Sequence, residues 1–118
     1  MSTLNIDHLG LTVADLTASR GFFVDCLGWT QFGENPDYPA AYVTNGLAKL
    51  TLWQQKGDDS RGFDRHKNVG LHHTALKVPD EPTLRSLFDR VRAHPGVVVE
   101  FAPEFSGKGP KVHFMILE

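Results

Sequence analysis

The sequence predicts an α+β domain built from two similar halves, each a strand, a helix and then short strands. Three observations predict it. The first is a repeat: Asp7-His8-Leu9-Gly10-Leu11-Thr12-Val13 and His72-His73-Thr74-Ala75-Leu76-Lys77-Val78 set a histidine in the same surroundings 65 positions apart. At that offset His8 meets His73, Leu11 meets Leu76, Val13 meets Val78, Asp15 meets Asp80, Arg20 meets Arg85 and Phe23 meets Phe88. Unrelated segments of this length share about one or two identities by composition alone. Second, in each half a two-residue hydrophobic alternation gives way to helical spacing. Third, 118 residues at 41% hydrophobic content are enough for one packed domain. A half of roughly 60 residues would be marginal alone, so the halves are expected to share one core. The expected plan is a single domain over 1–118, with a first module at 1–54, a linker at 55–68 and a second module at 69–118.

The opening strand of each half alternates. Leu9, Leu11 and Val13 oppose His8, Gly10 and Thr12, while Thr74, Leu76 and Val78 oppose His73, Ala75 and Lys77. Each histidine thus shares a face with a small residue two places on, Gly10 or Ala75, which leaves room for a ligand. By the same alternation His72 faces away from His73. A helix follows in each half. Asp15 can cap the first, because its carboxylate accepts from free N–H groups of the opening turn. Leu16, Phe22, Phe23, Cys26 and Leu27 make its apolar stripe, and Gly28 its stop. Asp80 caps the second, with Pro82 in the first turn, a stripe of Leu84, Leu87, Phe88 and Val91, and Pro95-Gly96 as the stop.

Short strands are expected at 29–33, 41–44 and 48–54, with Asn45-Gly46 as a hairpin turn, and then at 97–101 and 111–117. Gln55 to Asn68 is polar and charged, an exposed linker. Together with Gln31 to Tyr38 and Ala102 to Pro110, it supplies the loops expected to choose a ligand. By the duplication the second half is one strand short, and the counterpart of Asn45-Gly46 falls at Glu118.

Composition narrows the function. A net charge of −2 without a basic cluster argues against nucleic acid. No apolar run approaches the length that spans a bilayer. The start lacks the basic and apolar regions of a secretory signal. A single cysteine, Cys26 on the helix stripe, rules out an internal disulfide framework and fits a cytoplasmic protein.

Three stretches resemble the vicinal oxygen chelate superfamily of glyoxalases, bleomycin-resistance proteins and extradiol dioxygenases. They are Ile6-Asp7-His8-Leu9-Gly10-Leu11-Thr12-Val13, Phe22-Phe23-Val24-Asp25-Cys26-Leu27-Gly28-Trp29, and Leu71-His72-His73-Thr74-Ala75-Leu76-Lys77-Val78-Pro79-Asp80. The ending, from Gly109 to Glu118, is similar to the family's approach to its final turn and strand. The resemblance implies two βαβββ modules whose sheets curl into a mixed sheet around an open cleft, with the last strand of the second module missing. It also implies a divalent metal, held by the first-strand histidines His8 and His73.

Imidazole suits Fe, Zn, Mn and Ni alike, so these residues do not select the metal. Glyoxalase I adds a glutamate where this chain has Thr51, a poor ligand. The family's final glutamate would lie beyond residue 118, and Glu118 itself is not assigned. With such a glutamate, the set would leave positions open for a substrate with adjacent oxygens, whose developing charge the metal stabilises as a Lewis acid. His66, His72 and His113 are available as bases, but no motif selects one. Thr51, Trp53 and His113 are the candidate substrate-binding residues. The resemblance therefore implies a metal-dependent lyase, isomerase or dioxygenase acting on a small molecule, as a homodimer. The alternative is a metal-free protein of the bleomycin-resistance type that sequesters an aromatic or amphipathic compound.

Overall fold

The computed structural model describes residues 2–105, 107 and 112–118. Contacts divide the chain into two compact units, Met1–Gly62 and Phe63–Glu118, with the boundary inside the expected linker.

The first unit is a curled, mixed four-stranded sheet covered by one helix. Its strands are β1 (Leu9–Val13), β2 (Thr30–Asn35), β3 (Ala40–Thr44) and β4 (Lys49–Gln54), in the spatial order β1-β4-β3-β2. β1 runs parallel to β4, and the remaining pairs are antiparallel. Alternation explains the layering. Leu9, Leu11 and Val13 turn inward while Gly10 and Thr12 stay exposed. On the same inner face Val43 and Leu52 are 0% exposed, and Ala41 and Leu50 are buried beside them. The Asn45-Gly46 turn forms, with four residues between the strands. Asn45 Oδ1 accepts from the amides of Leu47 and Ala48, and Gly46 takes φ 95°, a conformation costly for any residue with a side chain.

Helix α1 (Leu16–Gly21) begins as expected, with the Asp15 carboxylate accepting from Ala18 N at 3.0 Å. A second device comes from far along the chain. Gln54 Oε1 accepts from Leu16 N at 2.8 Å and its amide donates to Ala14 O at 2.7 Å, stapling the helix start to β4. The expected helix does not stay α-helical to Leu27. From Phe22 to Cys26 it widens into a π-helical turn, which Leu27 N closes on Phe22 O. Gly28, at φ 74°, then reverses the chain, and Trp29 N reaches back to Phe23 O. Phe23, Cys26 and Trp29 are buried, and the rings of Phe23 and Trp29 lie 5.2 Å apart.

In the second unit β5 (Thr74–Val78) pairs antiparallel with β6 (His113–Leu117), and α2 (Glu81–Ala93) packs on the pair. The Asp80 carboxylate caps α2 by accepting from Thr83 N at 2.8 Å. Leu84, Leu87 and Phe88 are half-buried and Val91 is buried, the expected stripe. Gly96 ends the segment at φ 85°.

Three expectations are corrected. Residues 97–101 form no strand. β6 pairs with β5, no ladder reaches Val97 to Phe101, and Val98 and Phe101 are left exposed. Apolar, β-branched residues favour strands only where a partner offers its edge. The first ligand-selecting loop is shorter than Gln31 to Tyr38, because β2 continues to Asn35. There the Asn35 side chain accepts from Asp37 N and Tyr38 N and turns the chain. The opening strands are also shorter than their alternation suggests, starting at Leu9 and at Thr74. The start of the expected strand at Lys111 and much of the loop before it, at 106 and 108–110, lie outside the described residues and are neither supported nor corrected.

Candidate functional site

The two repeated histidines occupy the same local position. Each is the residue immediately before the first strand of its unit, His8 before Leu9 and His73 before Thr74. Each also has its Nδ1 engaged by the residue before it. In the first unit His8 Nδ1 lies 2.8 Å from Asp7 Oδ2, with the His8 side chain 53% exposed. The other Asp7 oxygen, Oδ1, accepts from Lys49 Nζ at 3.3 Å, which ties the pair to the start of β4. The hydrogen bond from His8, and then Lys49, hold the Asp7 carboxyl below the usual carboxylate range. In the second unit His73 Nδ1 lies 2.8 Å from His72 Nδ1, and the two rings meet edge-on at 5.0 Å.

That contact corrects the expectation that His72 faces away from His73. Faces alternate only in extended strand, and β5 starts one residue later. Among the described residues, no hydrogen bond engages Nε2 of either repeated histidine.

Thr51 and Trp53 stand on the sheet face opposite α1. The parallel register sets Gly10 beside Thr51 and Thr12 beside Trp53; across β3, Tyr42 faces Thr51 and Ala40 faces Trp53. Trp53 Nε1 donates to Thr51 Oγ1 at 2.9 Å, and Thr51 is only 8% exposed. A Cβ built on Gly10 would meet Thr51 Oγ1 at 3.2 Å and Trp53 Nε1 at 3.4 Å. The room beside Gly10 is therefore filled by the indole and the hydroxyl, a contact that strand alternation alone does not reveal.

Trp53 belongs to a row of rings. Tyr38 meets it edge-on at 5.1 Å, Tyr42 lies 6.1 Å away, and Phe32 is 5.9 Å from Tyr42. Lys56 Nζ sits 3.7 Å above the Tyr38 ring. Such rings present flat apolar area with polar tips. Phe32, Tyr38 and Lys56 were not singled out from sequence. Their only sequence signal is aromatic spacing on either side of a turn whose length depends on β2.

His113, the third candidate, lies elsewhere. It pairs with Val78 at the start of β6, on the face that carries Leu76 and Met115 rather than the Ala75 face. It is half-buried, and its charge helps to hold the Asp80 carboxyl low, after the larger effects of the Thr83 hydroxyl and amide. His66 pairs loosely with Asp64 at 3.5 Å. Glu118 is engaged by Arg65, whose guanidinium also grips both Glu100 oxygens. An open depression of about 290 Å³ is lined by Thr17, Arg20, Gly21, Val24, Asp25 and Gln31. None of the candidate residues borders it.

Among the described residues, no three histidine, cysteine or carboxylate side chains converge as a metal cage. No helix among them is long and apolar enough to cross a membrane.

The mixed sheet under a capped helix and the repeated strand-start histidines define a protein of the glyoxalase fold. A family model matches residues 5–112, and the chain belongs to the Glyoxalase/Bleomycin resistance protein/Dioxygenase superfamily. A search of curated proteins finds no match.

Proposed function

We propose that this protein is a metal-dependent enzyme acting on a small molecule with adjacent oxygens, and that His8 and His73 each give one imidazole nitrogen to a divalent metal ion. The observation that carries the reading is the shared setting of the two histidines: each stands at the mouth of its unit's first strand with Nδ1 held and, among the described residues, no hydrogen bond at Nε2. Metal-bound histidines are commonly fixed in this way through the second ring nitrogen. The donor chemistry fits Fe, Zn, Mn or Ni. Such an ion, when bound, supplies Lewis-acid stabilisation of negative charge on a substrate oxygen. The rings of Phe32, Tyr38, Tyr42 and Trp53 would receive the apolar part of the substrate, with Thr51 acting through its hold on Trp53. A homodimer in the cytoplasm completes the reading.

The aromatic row supports a second reading, a metal-free protein that sequesters an aromatic or amphipathic compound. Elemental analysis of full-length protein, purified without chelator, separates the two. The enzyme reading expects bound metal that is lost in both His8→Ala and His73→Ala. Protein with no affinity for added Fe, Zn, Mn or Ni overturns it. Quenching of tryptophan fluorescence by an aromatic compound, unchanged in His8→Ala, would then establish the second.

A further inference from the structure

The repeat offset that aligns His8 with His73 also aligns Asp7 with His72. These two residues differ in chemistry, a carboxylate in one unit and an imidazole in the other. They nevertheless do the same thing: each reaches the Nδ1 of the histidine that follows it, at 2.8 Å. We propose that Asp7 and His72 are the positioning residues of the two repeated histidines, holding each with its proton on Nδ1 and its lone pair on Nε2. The inference rests on the reading of His8 and His73 as metal ligands, because only a nitrogen without a proton can bind a metal.

Hydrogen-bond chemistry sets the direction in the first unit. An ionised carboxylate only accepts, so the Asp7–His8 contact requires the proton to be on His8 Nδ1. Asp7 is itself fixed by Lys49 through its other oxygen, so the acceptor does not swing freely with the exposed chain end. In the second unit the two Nδ1 atoms face each other, and one must donate while the other accepts. His73 donates and His72 accepts, which leaves His72 with its own proton on Nε2. The reverse arrangement would put a proton on His73 Nε2 and block it. Both residues act through their neighbours rather than on a substrate. They also explain how two exposed histidines can be preorganised without burial: the preceding residue supplies what a packed second layer supplies elsewhere.

The test begins without metal. In full-length protein labelled with ¹⁵N, at a pH where the imidazoles are neutral, long-range ¹H–¹⁵N correlations report which ring nitrogen carries the proton. The expected result is Nδ1–H on His8 and His73 and Nε2–H on His72. Imidazole in water favours the proton on Nε2, so Asp7→Ala should return His8 to Nε2–H and His72→Ala should do the same for His73. Asp7→Asn keeps an acceptor oxygen and should keep His8 as in the parent. A parent His8 protonated on Nε2, or variants that leave both tautomers unchanged, overturns the proposal. Titration with Co(II), followed by its visible absorption, then reads the consequence. Asp7→Ala and His72→Ala should each weaken binding by about 10- to 100-fold, with Asp7→Asn close to the parent. Tautomers that respond as expected, in a parent that binds no Co(II), uphold the positioning roles and overturn the metal reading instead. Parent and variants that bind Co(II) equally overturn the positioning roles alone.

Discussion

Leu52 shows what a single residue contributes to this fold. It is 0% exposed, in the central strand β4, between β1 and β3 and under α1. Leu52→Ala removes buried methyl groups and leaves a cavity that the surrounding strands can only partly close. The expected loss is about 2–5 kcal/mol, read as a lower urea midpoint with an unchanged slope. A midpoint shift of the size seen for surface substitutions would show that the sheet collapses around the gap. Gly10 and Gly33 work by the opposite logic, since each is small because a large neighbour lies across it. A Cβ on Gly33 would stand 2.7 Å from Tyr42 Cδ2, closer than real atoms pack. Such contacts were hidden in the sequence because they depend on which strands pair and in what register, and β1 and β4 are far apart in the chain.

At the scale of elements, the signals that could be read were local ones. Asp15 and Asp80 are both N-caps, Gly28 and Gly96 both take the positive φ of helix stops, and the apolar stripe of α2 is half-buried to buried. Each depends on residues within a turn or two. Asp15→Ala should therefore cost about 1 kcal/mol and Asp15→Asn much less, measured by thermal melting. Equal melting of the alanine variant and the parent would mean that the Gln54 staple alone carries the start of α1. What could not be read depended on distant partners or on spacing within the helix. The 97–101 segment has strand composition but no edge to join. The π-helical turn keeps Phe23 and Cys26 buried while it breaks the α-helical spacing from which they were picked out. The His72–His73 contact was missed because alternation was extended one residue beyond the strand that produces it. The equivalent placement of His8 and His73, each just before its unit's first strand, is what the 65-residue offset leads one to expect.

At the scale of the molecule, charge links the turn at the start of the second unit to the end of its last strand. Arg65 holds Glu100 and Glu118 together. The two carboxylates, Glu100 first, raise the Arg65 pKa above its ordinary value, and the guanidinium lowers that of Glu100. Because the folded-state pKa of Glu100 is lowered, its contribution is fully present above the ordinary glutamate pKa of about 4.3. It is lost as pH falls through the lower folded value. These groups are open to solvent, so added salt should weaken the effect. Glu100→Gln is expected to melt below the parent at neutral pH, with the gap closing in acid and narrowing in high salt. A gap that persists in acid would assign the loss to packing rather than to charge. Among the described residues, β1 pairs in parallel with β4 and β5 pairs antiparallel with β6, while both units open with a strand followed by a capped helix.

The parallel pairing of β1 has an entropic consequence. The β3–β4 hairpin closes a loop of four residues, whereas β1 meets β4 only after 35 residues intervene between Val13 and Lys49. Loop-closure entropy rises as the logarithm of length, which makes the parallel contact costlier by about 2 kcal/mol. The strand that presents His8 is thus joined to its sheet by a far less local contact than the hairpin beside it. The Gln54 staple and the Lys49–Asp7 pair, one at each end of that contact, fasten it where chain connectivity gives least help.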